Sequence, residues 1–257
     1  MIELNESKKE FINYTSKFNL KDDGIKRKIG HSLRVMEIST KIAKSLNLSE
    51  EKVEIATLIG LLHDIGRFEQ KTQFNTFYDA ISVDHGDLGV QILKENDYLR
   101  KYIETDKYDE IILTAIKNHN KYEIRPEVVN DDELLFSKII RDADKIDILY
   151  ETFEIFWKNH EDEVENSMIS QEIEKSFEEM QQLKRTANNV DSSPIDKVCA
   201  KIAFIFDINF VKSFEIINRE DYINRIIDRF DFKNIETKEK IEKIRKIAND
   251  FVEEKIK

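Results

Sequence analysis

Apolar residues recur at spacings of three and four along almost the whole of this chain, which places them on one side of a helix rather than on one face of a strand. Little interrupts the pattern. Two prolines and six glycines occur in 257 residues, and all the glycines (Gly24, Gly30, Gly60, Gly66, Gly86, Gly89) fall in the first 90. Strict polar–apolar alternation bounded by turn residues is scarce. The pattern predicts an all-α protein, with helices over about 6–19, 24–46, 50–62, 84–99, 108–120 and 131–158. A second set is expected over about 169–187, 194–216, 220–230 and 236–256. Ser49-Glu50-Glu51 and Ser193-Pro194 with Asp196 have the composition of helix starts: a capping hydroxyl, acids near the positive end of the dipole and, in the second, a first-turn proline.

The polar, acidic stretch 159–168 is the main seam, and a second lies at 187–193. Neither is long or rich in Gly and Ser, so the expected organisation is a first domain over 1–160 with a helical extension over 161–257 packed on it. At the C-terminus, Ile241, Ile244, Ile247 and Phe251 keep helical spacing inside a Lys-rich segment, the mark of an amphipathic packing helix. Phe204, Ile205, Phe206 and Phe210 form an apolar block whose first reading is packing onto the first domain and whose second is a homodimer contact. Residues 67–83, rich in aromatic and polar groups, read as a connecting loop or a lid.

Apolar residues make up 40 % of the chain, enough for a core, and charged residues 36 %, with a net charge of −11. That balance argues against broad binding to DNA, RNA or anionic membranes, while leaving room for a local basic pocket. No apolar run reaches the roughly 20 residues of a membrane span. The N-terminal MIELNESKKEF lacks the order of a signal peptide, and the expected location is the cytoplasm. Cys199 is the only cysteine, so no internal disulfide or thiolate zinc cluster can form.

The chemistry lies in the histidines. Of five, four sit where a solvent-facing residue would not. His31 is on the stripe Val35, Ile38, Ile42, Leu46; His63 and Asp64 end the apolar run 56–62; His85 starts the stripe Leu88, Ile92; His119 follows Ile112, Ala115 and Ile116. His160 lies in the acidic seam and is expected at the surface, with Trp157, Phe153 and Phe156 as packing residues. Asp144 stands four residues from both Ile140 and Ile148 and so points inward, whereas Asp142, near Lys138 and Lys145, is expected at the surface. Asp147 is a weaker inward candidate. Separate burial of these groups would require a separate partner for each, and one metal centre satisfies all of them. Nitrogen and carboxylate donors without sulfur suit Fe, Mn, Zn, Co or Mg with open positions. Adjacent His63 and Asp64 can converge if the helix ends there, with Gly66 permitting the turn. A carboxylate flanked by ligands on both sides is a natural bridge between two cations.

The order His31, His63-Asp64, Asp144 resembles the HD-domain metal-dependent phosphohydrolase superfamily, and His63-Asp64-Ile65-Gly66 is similar to its HDIG variant. The likeness covers roughly residues 24–150 and includes the preceding apolar helix and the downstream Arg-Asp-Ala-Asp-Lys segment. It implies an HD-domain helical bundle with one or two divalent metal ions per chain. By resemblance His85 and His119 complete a two-metal set: His31, His63, Asp64 and Asp144 on one ion, Asp64, His85 and His119 on the other. Asn120 stands where several two-metal members have a further histidine, a departure that bears on how firmly the second ion is held. The set is similar to that of bacterial enzymes that split diadenosine polyphosphates. No Gly-Tyr-Pro follows His119, which disfavours the cyclic-di-GMP branch.

The implied function is hydrolysis of a phosphoester or phosphoanhydride bond, in a nucleotide or other small phosphorylated molecule, by a metal-activated water. Arg67, three residues past Asp64, reads equally as a phosphate clamp or as an ordinary exposed arginine; Lys145 follows Asp144 and reaches either the pocket or solvent; Lys121 and Tyr122 are expected at the substrate rim. Asp84 and Asp87, flanking His85, are candidate acceptors for a ligand imidazole or plain helix-start acids, with Asp87 read as the latter. Two other functions use the same residues: a di-iron oxygenase on this fold, and a non-catalytic nucleotide sensor.

Overall fold

The computed structural model describes residues 2–184 and 192–257, and every regular element among them is helical. The chain divides into two compact units, Met1–Asp144 and Lys145–Lys257, a boundary inside a helix and earlier than the acidic seam. The first unit contains α1 (Leu4–Thr15), α2 (Asp23–Ser45), α3 (Glu50–Leu62), α4 (Gly66–Phe74), α5 (His85–Lys94), α6 (Asp109–Asn118) and the start of α7 (Asp131–Glu154).

α3 is the hub of this unit. Ile55, Leu58, Ile59, Leu61 and Leu62 are all fully buried, as an all-round apolar helix must be. It lies against α1, α2 and α6, while α5 bridges α4 and α6. Gly60 lets α2 approach α3: a Cβ there would meet Met36 Cα at 2.8 Å. Gly66 does the same for α4 and α5, since its Cβ would fall 2.3 Å from the His85 carbonyl oxygen. No glycine has a positive φ, so Gly66 is needed for the absence of a side chain and not for the turn freedom that the sequence suggested.

Helix starts follow the capping signals. Asp22 accepts from the amides of Gly24 and Ile25, Ser49 from Lys52, Asp84 from Asp87 and Ser193 from Asp196, with Pro194 in the first turn. Helix ends depart more from the sequence reading. The helix expected over 84–99 stops at Lys94, where Asn96 and Asp97 take left-handed φ values of 51° and 56° inside a 3-10 turn. α7 ends at Glu154 instead of 158, and Trp157 and Asn159 are left-handed. The loop expected over 67–83 contains most of α4, a helix without an apolar stripe in which Phe68 and Gln70 are the buried side chains beyond Gly66.

The second unit holds the rest of α7, then α8 (Glu161–Glu165), α9 (Gln171–Glu178), α10 (Pro194–Ile202), α11 (Val211–Arg219), α12 (Tyr222–Asp228) and α13 (Ile235–Ile256). α8 lies inside the expected seam, and the single helix expected over 194–216 is split by a 3-10 turn, Ala203–Asp207. Most of the second seam, 187–191, lies outside the described residues. α13 packs on α9, α11 and α12 through Ile241, Ile244, Ala248 and Val252, as the Lys-rich amphipathic pattern predicts. Phe251 adds edge contacts to Phe206 and Phe214, with centroids 5.0 and 6.0 Å apart. Cys199 is buried in α10. No helix among the described residues is long and apolar enough to cross a membrane.

Because the atoms that a Gly66 Cβ would strike are backbone, the α4–α5 contact cannot relax by turning a side chain. Gly66→Ala is expected to destabilise the fold by about 1–3 kcal/mol, read as a lower denaturant midpoint with an unchanged slope.

Candidate metal centre

Four of the six metal-candidate side chains sit at or near helix ends. His63 caps the C-terminus of α3, Asp64 lies in the three-residue turn to α4, His85 opens α5 and His119 caps the C-terminus of α6. His31 comes from the middle of α2, and Asp144 from α7, at the last residue of the first unit. His31, His63, Asp64, His85 and His119 are buried, and the Asp144 side chain is 15 % exposed. The early end of α3 lets neighbours His63 and Asp64 face the same point.

That point is the Asp64 carboxylate. Its Oδ2 lies 3.3 Å from His31 Nε2 and 3.5 Å from His63 Nε2. Its Oδ1 lies 3.3 Å from His85 Nε2 and 3.6 Å from His119 Nε2. Asp144 Oδ1 closes the first side, 3.1 Å from His31 Nε2 and 3.8 Å from His63 Nε2. Two sets, His31–His63–Asp64 and Asp64–His85–His119, therefore have ligand atoms close enough to hold one cation each.

The far ring nitrogens test whether a cation fits. His63 Nδ1 is 2.8 Å from the Gly60 carbonyl and His119 Nδ1 is 2.6 Å from that of Ile116. A carbonyl only accepts, so in both neutral rings Nδ1 carries the proton and Nε2 is a bare lone pair. His85 Nδ1 donates likewise to Asp79 Oδ2 at 2.6 Å. The bare Nε2 atoms of His85 and His119 then stand 3.0 Å apart, a repulsive pairing unless positive charge lies between them. Ligands at about 2.0–2.1 Å from one ion, separated by 90° to 109°, lie about 2.8–3.4 Å apart, which this distance and the 3.1 Å between His31 and His63 Nε2 both match. The donor set fits a divalent cation.

Electrostatics agree. Burial holds the His63 imidazole down to about 3 against the pull of Asp64 and Asp144. Burial, then Arg67, holds His85 down to about 4 against Asp79 and Asp64. Burial would raise the Asp64 carboxyl, but Lys28 and the surrounding imidazoles outweigh it and keep the group well below the usual range. In Asp144 burial is likewise overcome, mainly by His31. At neutral pH His63 and His85 are thus neutral imidazoles beside the ionised Asp64 and Asp144, the forms that bind metal.

The remaining candidates are placed as follows. Arg67 Nε is 3.6 Å from Asp64 Oδ1, while its Nη1 donates to Gln70, the Phe77 carbonyl and Asp79 at 2.6–2.7 Å. Lys121 pairs with Asp84 and Asp87, at 2.5 and 3.2 Å, beside the start of α5. Tyr122 is 38 % exposed. Lys145 pairs with Asp207 at 2.8 Å within the second unit. Asp142 is fully buried and not at the surface, because α7 is enclosed on several sides here: Arg141, Ala143, Lys145 and Ile146 are buried with it. His160 is exposed and bonded to Glu163. Neither Asp84 nor Asp87 is the partner of His85 Nδ1; Asp84 caps α5, and Asp79 holds the imidazole.

Sequence reasoning missed three residues. Lys28, 2.6 Å from Asp64 Oδ2, lies one turn before His31 on the same face, a signal that was available. Asp79 opens a three-residue 3-10 turn, Asp79–Ile81, too short to give a periodic signal. Arg141, fully buried in α7, donates to the carbonyls of Asn118, Lys121 and Tyr122 at 3.0, 2.6 and 2.9 Å and so fixes the turn that carries His119.

Among known families, the model described as HD domain matches residues 29–149. No curated protein and no solved structure matches the chain.

The buried imidazoles give the metal-free protein a pH signature. His63 and His85 stay neutral in the fold down to about 3 and 4, but protonate near 6.5 in an unfolded chain. Between those values the unfolded chain binds more protons, so stability falls as pH falls. The Tm of EDTA-treated protein is expected to drop by several degrees from pH 7 to about 5, before the carboxylates titrate, and the double variant His63→Gln/His85→Gln to show a flatter profile.

Proposed function

We propose, from the match of residues 29–149 to the HD domain, that the chain is a metal-dependent phosphohydrolase, acting on a phosphoester or phosphoanhydride bond of a nucleotide or other small phosphorylated molecule. The observation that carries this reading is the pair of imidazoles facing each oxygen of Asp64. His31, His63, Asp64 and Asp144 would hold one divalent cation and Asp64, His85 and His119 the other. Those cations would supply the Lewis acidity this chemistry needs, to acidify water towards neutral pH and to offset charge on phosphoryl oxygens.

The chain's own groups do the rest. Asp64 offers one oxygen to each side and so fixes the spacing of the two half-sites. Arg67 Nε is buried without a hydrogen-bond partner, 3.6 Å from Asp64 Oδ1, and has a donor available for a phosphoryl oxygen. Its Nη1 contacts hold the guanidinium in place, so little side-chain entropy is lost when that oxygen arrives. Lys121 and Tyr122, on the turn after His119, would contact the rest of the substrate at the rim. The Lys145 ammonium is committed to Asp207, and the mechanism uses Arg67 in its place. A dinucleoside polyphosphate is the candidate substrate we favour, because a long polyanion gives both the cation pair and Arg67 an oxygen to bind.

The test incubates the protein with Mn2+ and a panel of nucleotides, dinucleoside polyphosphates and cyclic dinucleotides, reading products by mass. Wild type is expected to release a phosphorylated product, and folded Asp64→Ala to lose at least about 1,000-fold in rate. No turnover on the panel with Mn2+, Fe2+, Co2+, Zn2+ or Mg2+ would overturn the reading.

A further inference from the structure

The segment between α4 and α5 exposes its apolar side chains, with Tyr78 at 38 % and Ile81 at 72 %. Between them Asp79 turns inward and meets four donors. Its Oδ1 accepts from Arg67 Nη1 at 2.7 Å and Gln70 Nε2 at 2.8 Å; its Oδ2 accepts from His85 Nδ1 at 2.6 Å and Asn120 Nδ2 at 3.2 Å. Those donors come from α4, from the first residue of α5 and from the turn after α6. Burial would raise the Asp79 carboxyl, but His85 and Arg67 together hold it well below the usual range.

His85 is thereby set apart from His63 and His119, whose far nitrogens meet neutral backbone carbonyls. A carboxylate in that place fixes the tautomer and ring plane and makes the opposite nitrogen more basic. The half-site it serves also has fewer donors: His85, His119 and a shared Asp64, against His31, His63, Asp144 and the same Asp64.

We infer that Asp79 is a positioning residue for the His85–His119 half-site and sets the affinity of the second cation without affecting the first. The inference rests on the two-cation reading above, and the same carboxylate steadies Arg67, the proposed phosphate clamp.

The test titrates metal-free protein with Mn2+ alone and counts free ion by electron paramagnetic resonance, with no substrate present. Wild type is expected to take up two ions. In Asp79→Asn, which keeps the shape but replaces an acceptor with an amide, the second dissociation constant should rise about 10- to 100-fold and the first stay within twofold. Asn120→Ala, which removes one of the four donors, should weaken only the second ion, by a few-fold; it also carries the test if Asp79→Asn does not fold. Two ions bound by wild type with unchanged affinities in both variants would overturn the inference and leave the metal reading standing, as would equal weakening of both ions. One ion bound by wild type would overturn the inference, and none would overturn the metal reading with it.

Discussion

An ionised carboxylate withdrawn from water is tolerated only where cations or donors surround it, and Asp64 meets that condition on both oxygens. Imidazoles face each oxygen, Lys28 lies 2.6 Å from one and Arg67 3.6 Å from the other. The first unit is arranged to make this convergence possible. Removing one partner from such a network costs about 3–5 kcal/mol, comparable to a large share of a domain's net stability. The helices that deliver the imidazoles are therefore constrained by electrostatics as well as by packing.

Delivery uses helix ends, where a side chain can leave the 100° periodicity of the helix. α3 stops so that consecutive residues face one centre, and α5 begins with a ligand candidate at its first position. This crowding needs backbones that approach closely, which Gly60 and Gly66 permit. The short α4 carries the donors Arg67 and Gln70 beside the site and needs no apolar stripe of its own.

The all-helical class, the four inward histidines and the His63–Asp64 convergence could be read from sequence, because apolar spacing reports which side of a helix is buried. The partners of those ligands were harder to see. Asp79 sits in a segment with no period, so nothing in its spacing reveals that it reaches back to His85. Asp142 was misplaced because local charges suggested a solvated face, while α7 is enclosed around that position. Helix ends at Lys94 and Glu154 depended on left-handed Asn, Asp and Trp residues, which carry no glycine to announce them. Lys28 was legible in principle, being one turn from His31, but a lysine on an apolar face is ordinarily read as snorkelling to water.

The three carbonyls held by Arg141 have a consequence for how this protein can change. They tie residues 118–122 to the body of α7, and the chain leaves that anchor only after Tyr122. From there to Asn130 it is largely exposed, with Val129 at 83 %. One further tie remains, from the Arg125 amide to Asn118 Oδ1 at 3.0 Å, and substitutions or insertions past it would leave His119 its aim. A guanidinium in the interior thus marks where this stretch stops being bound to the ligand geometry and starts being open to change.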